Sequence, residues 1–175
     1  MRKHTERQSG QSMVEMALLL PFLLFVVFGI IDMGWYIYGY ATVYQAARNG
    51  AQKASELPPQ IIRVSPSLNR SDPCVSSVLE AAQAGAALFP DLTTGTNANN
   101  TIAISYPATD SSGNALRQLG QPVQISITYN ISPLTPLWRF VTFGTQGTMR
   151  VTTTARRSIE SLGENPNAVN YVACN

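Results

Sequence analysis

Between Met13 and Ile31 the chain reads MVEMALLLPFLLFVVFGII, and Met16 to Ile31 are sixteen consecutive uncharged residues. A helix needs about 20 mostly apolar residues to cross a hydrocarbon core roughly 30 Å thick. This run therefore predicts a membrane-spanning helix over residues 11–35. Two acids bracket it, Glu15 and Asp32. A carboxylate at the bilayer centre costs about 2.5–3.5 kcal/mol on insertion scales. The two acids lie seventeen residues apart, which is roughly 25 Å along a helix. Each can then sit near one boundary of the core. Trp35, Tyr36, Tyr38 and Tyr40 follow, as an aromatic belt would at the outer interface. Asp32 reads with Trp35 and Tyr36 as an interfacial residue, and a specific partner contact is the alternative.

The residues before the run, MRKHTER, carry Arg2, Lys3 and Arg7 against Glu6. That bias predicts a cytoplasmic N-terminus and an extracytoplasmic C-terminal part. A secretory signal peptide would need small residues of A-x-A type after the apolar core, and GIIDMGWY is a poor site. An ordinary signal anchor explains the span but leaves Glu15 without a reason. A cut between Gly10 and Gln11 supplies one. It makes residues 1–10 a basic leader and creates an α-amino group about one helical turn from Glu15. In an assembly, the amine of one subunit could neutralise the acid of its neighbour, making Glu15 a register device. Pro21 lies inside the helix and predicts a local bend.

Residues 36–56 contain no proline, and Leu57-Pro58-Pro59 stops any helix. One helix is therefore expected from about residue 13 to residue 56, with 36–56 as its continuation outside the membrane. Ala46, Gly50 and Ala54, beside Val43, Ala47 and Ala51, give this continuation a face of small residues. Such a face packs closely on the chain's own domain or, alternatively, on another subunit.

Residues 57–175 predict an extracytoplasmic α+β domain. After a Pro- and Ser-rich connector, Asp72-Pro73 offers an N-cap and a first-turn proline, and the helix is expected to run to about Phe89. Alternation at Ile102, Ile104 and Tyr106, then at Val123 to Ile131, then at Met149 to Ala155, predicts an antiparallel sheet of about three strands with one wet face.

The chemistry-bearing residues are few. One histidine and two cysteines leave little for a Cys/His metal site or a histidine general base. No phosphate loop, nucleophile elbow or zinc-helix motif is present. The expectation is a non-enzymatic protein without a cofactor. A formal charge of +2 and no dense basic face after residue 10 argue against nucleic acid. Asp110-Ser111-Ser112-Gly113-Asn114 lacks the later bidentate acid of a calcium loop and reads as a turn. Cys74 and Cys174, placed outside the cytoplasm, are expected to form one disulfide, with free thiols as the alternative. Residues 132–144, SPLTPLWRFVTFG, load a hairpin connection with Leu134, Leu137, Trp138, Phe140 and Phe143. This contact loop is either a lid on the domain's own core or a surface for the bilayer or a neighbouring subunit.

Taken together, GQSMVEMALLLPFLLFVVFGIIDMG and YQAARNGAQKA resemble the TadE-like family, the minor pilins (pseudopilins) of tight-adherence type IV pili. The carriers are Gly10, Glu15, Pro21, Gly29 to Gly34 and Ala46 to Ala51, with SPLTPL and GTMRV as a weaker second stretch. Met16 stands where the family usually has Phe or Tyr, and Asp32 where it often has Glu. The resemblance implies cleavage by a prepilin peptidase, residence in the cytoplasmic membrane, and a role in pilus assembly. Its implied partners are other pilin-like subunits and the inner-membrane assembly platform, besides the lipid bilayer. The rival reading is an uncleaved bitopic membrane protein whose outer domain binds a ligand or scaffolds an envelope complex.

Overall fold

A computed structural model describes residues 9–86, 89, 100–136 and 147–162. Its elements in chain order are α1 (Ser9–Glu56), α2 (Ile61–Val64), α3 (Pro73–Ala84), β1 (Thr101–Ser105), β2 (Pro122–Ile131) and β3 (Met149–Ser158). Over the described residues the fold is α+β: a long apolar N-terminal helix, two further helices and a three-stranded antiparallel sheet. The chain divides into two compact units. One comprises Met1–Tyr38 with Ser132–Met149, and the other Gly39–Ile131 with Arg150–Asn175.

In the second unit the sheet order is β1-β2-β3. β1 pairs with β2 in the register Ile102↔Ile127 and Ile104↔Ile125. Between β2 and β3, side chains meet as Gln124 with Arg156, Ser126 with Thr154, and Thr128 with Thr152. One number rises as the other falls, so this pair is antiparallel too. These polar pairs lie on the wetter face, where Thr128 alone of the six is buried, and Ile102, Ile104, Val123, Ile125, Ile127, Val151 and Ala155 form the buried one, as the period of two requires.

The small residues of α1 cover that buried face. Val43, Ala46, Ala47, Ala51 and Ala54 are fully buried. A Cβ added to Gly50 would stand 3.3 Å from Ala82 Cβ and 3.6 Å from Ile125 Cγ2. Thr153 Oγ1 donates to the Val43 carbonyl at 3.3 Å. The face of small residues thus packs on the chain's own sheet and on α3, and close backbone approach is what the alanines and glycine permit.

Asp72 caps α3 by accepting from the Cys74 and Val75 amides at 3.0 and 3.1 Å, with Pro73 at the first position. Val75, Val78, Leu79 and Ala82 are its buried stripe. The helix ends at Ala84, not near Phe89 as the apolar spacing predicts. The Gly85 and Ala86 amides bond three residues back, to Ala82 and Gln83, which tightens the last turn. Gly85 also lies against α1, where an added Cβ would come within 3.0 Å of Ala46 Cα.

The connector is more ordered than its composition predicts. Just before α2, Pro58 and Pro59 are fully buried. Arg117 donates to the Pro58 carbonyl at 2.9 Å and the Tyr106 hydroxyl to the Pro59 carbonyl at 2.5 Å. Burial pushes the Tyr106 hydroxyl well above the usual tyrosine range. Asp110 accepts from the Ser112 and Asn114 amides at 2.8 Å, and Gly113 takes φ +84°, so this segment is the expected turn. The Asn114 hydrogen bonds, chiefly, hold its carboxyl below the ordinary range.

Candidate functional site at the outer end of the apolar helix

The described part of α1 is long and apolar enough to cross a membrane, and its apolar side chains face outward, Leu18 at 75% and Phe22 at 69% exposure. The exception in this stretch is Asp32. It is 1% exposed, and a buried carboxylate without partners would be strongly unfavourable.

Its partners come from residues a hundred positions away. Asp32 Oδ1 accepts from the Leu134 amide at 3.0 Å and the Thr135 amide at 2.9 Å. The Thr135 hydroxyl donates to Oδ2. The local sequence Ser132-Pro133-Leu134-Thr135-Pro136 explains why these amides are available. The flanking prolines have no N–H, so Leu134 and Thr135 carry the only two amide donors between them, and both go to one oxygen. Hydrogen bonds to an ionised acceptor are about twice as strong as neutral ones.

Two more side chains of the same helical face complete the arrangement. Residues three and four positions on lie beside Asp32 on a helix, and these are Trp35 and Tyr36. The Trp35 indole donates to the Ser132 carbonyl at 3.0 Å. The Tyr36 hydroxyl donates to the Gly147 carbonyl at 2.6 Å. Gly147 has φ +59°, a backbone state that favours glycine. Trp35 is stacked on Tyr38, with centroids 5.9 Å apart. One turn of α1 thus offers an acceptor and two donors to both ends of segment 132–147. The arrangement is a clamp. It also joins the two stretches of sequence that carried the family resemblance, since Leu134 and Thr135 belong to SPLTPL and Gly147 opens GTMRV.

The remaining sequence-derived residues are placed as follows. Gly10, Gln11 and Glu15 lie exposed in the first turns of α1, and Gln11 Nε2 donates to Glu15 Oε1 at 3.1 Å. Pro21 is inside α1, which continues past it. Cys74 is buried in the first turn of α3, and Cys174 lies outside the described residues. Leu134 is 63% exposed, while Leu137, Trp138, Phe140 and Phe143 lie outside the described residues. Among the described residues no cluster of His, Cys, Asp and Glu could hold a metal ion. Sequence reasoning missed the partners of Asp32. The only local signal was a pair of amides fenced by two prolines, and nothing in it points to residue 32.

Residues 10–52 match the family model described as TadE-like protein, within the bounds of α1. No curated protein matches the chain, and no solved structure matches it.

Proposed function

We propose, from the TadE-like match of its apolar helix, that this chain is a minor pilin or pseudopilin of a tight-adherence pilus. The match suggests a Tad pilus-associated protein, and a long apolar helix with outward-facing side chains fits membrane anchoring. In the finer reading, a prepilin peptidase cuts between Gly10 and Gln11, and residues 11–35 cross the cytoplasmic membrane once. The basic leader faces the cytoplasm, and the α+β domain lies outside. The new amine of Gln11 and the Glu15 carboxylate of a neighbouring subunit set the axial register. Cys74 and Cys174 pair outside the cytoplasm, where disulfides persist. Partners are pilin-like subunits and the inner-membrane assembly platform, and the role is structural, without catalysis.

The observation that carries this reading is the family match on a helix whose apolar surface is unburied. Deleting the gene from its host tests it. Electron microscopy should show tight-adherence pili lost from the mutant and restored by the wild-type chain. Pili in unchanged number on the deletion strain would contradict the reading.

A further inference from the structure

We propose that the clamp makes segment 132–136 a second membrane contact, with Leu134 entering the outer interfacial layer of the bilayer. This rests on the membrane-anchoring reading above. Four observations within one compact unit lead to it. The clamp turn begins at Asp32, nineteen residues after Met13, or about 28 Å along a helix. A hydrocarbon core roughly 30 Å thick that starts at Met13 ends at that turn. Leu134 is held at the same level, because its own amide is bonded to Asp32 at 3.0 Å. Its side chain is nevertheless 63% exposed, as are those of Met33 (66%) and Ile37 (61%) on the helix. An apolar side chain fixed in the open beside an apolar helix face is a liability in water and an asset at a lipid surface.

The clamp's own chemistry suits that depth. Trp35 and Tyr36 are the residue types that favour the headgroup level, with an apolar ring and a polar tip. The Trp35 tip donates to the Ser132 carbonyl of the segment and the Tyr36 tip to the Gly147 carbonyl beyond it, and the buried Asp32 carboxylate accepts from the segment's two amides and a hydroxyl. The two amide donors and the hydroxyl that the segment brings to the interface are therefore already satisfied. Asp32 acts here as a positioning residue, which sets the height of Leu134 without touching lipid itself.

The test uses the full chain in vesicles of phosphatidylcholine with phosphatidylglycerol. Leu134→Cys and, separately, Leu18→Cys carry a small environment-sensitive fluorophore, and the wild-type chain treated alike gives the background. Nitroxide lipids quench from the headgroup or from the end of the acyl chain. The Leu18 probe should lose most of its emission to the acyl-chain nitroxide, which checks the membrane reading alone. The Leu134 probe should lose most of its emission to the headgroup nitroxide and little to the deep one. Adding Asp32→Ala should abolish the Leu134 quenching and leave that of Leu18 unchanged. If Leu18 is quenched and Leu134 is not, the second contact is wrong and the anchor stands. If Leu18 is not quenched, the anchoring reading itself fails. Undiminished Leu134 quenching in the Asp32→Ala chain would remove the clamp from the account.

Discussion

Asp32→Ala should release segment 132–135 from α1 and raise amide hydrogen exchange at Leu134 and Thr135 roughly 100-fold. The substitution leaves two amides and a hydroxyl without their acceptor. Each buried unsatisfied group costs about 1–3 kcal/mol. Water reaches the site once the carboxylate is gone, because Leu134 beside it is exposed, so a total near the low end, about 3 kcal/mol, is expected. At about 1.4 kcal/mol per factor of ten, that is the stated change. Asp32→Asn retains one oxygen for the two amides and loses the charge assistance, so it should cost about 1 kcal/mol and accelerate exchange only about fivefold. Mass-spectrometric exchange on the micelle-bound chain measures both. Equal, unchanged exchange in the two variants would mean that Asp32 does not hold the segment.

The second large effect belongs to the other unit. Ile125 is fully buried at the centre of β2. It pairs with Ile104 on β1 and lies where Gly50 of α1 comes closest to the sheet. Ile125→Ala removes methyl groups from a place where three elements meet and where little can collapse inward. Such substitutions cost about 2–5 kcal/mol, and the upper half of that range is expected here. Ser126→Ala, one position on and facing water, should change stability by less than about 0.5 kcal/mol. Urea unfolding of both variants, followed by near-ultraviolet circular dichroism, checks the contrast. Similar losses for the two would mean that the wet and dry faces of β2 are assigned wrongly.

What could be read from the sequence was local. The alternation from Val123 to Ile127 states which face of β2 is dry, because a period of two has no other cause in a half-buried strand. Asp72-Pro73 states where α3 begins, through a cap whose atoms are three residues apart. The proline-free stretch from 36 to 56 states that α1 continues, and the structure carries that helix from Ser9 to Glu56. What could not be read depends on distant partners. The end of α3 is decided partly by the close approach of Gly85 to Ala46, on another helix. The order in the connector comes from Arg117 and Tyr106, which reach back to the Pro58 and Pro59 carbonyls. Asp32 is the clearest case. Its spacing from Glu15 speaks only of depth in a bilayer, whereas its environment is set by residues 134 and 135. No periodicity links positions a hundred residues apart. The acid was legible as an oddity, and its chemistry was not.

The intact mass of the chain, purified from membranes of cells that also make its own prepilin peptidase, tests the account's central claim most directly. Processing as proposed removes Met1 to Gly10 and gives a polypeptide that begins at Gln11, and N-terminal sequencing should read Gln-Ser-Met-Val-Glu. A chain that keeps Met1 through Gly10 under those conditions would contradict a processed minor pilin and leave an uncleaved bitopic membrane protein in its place.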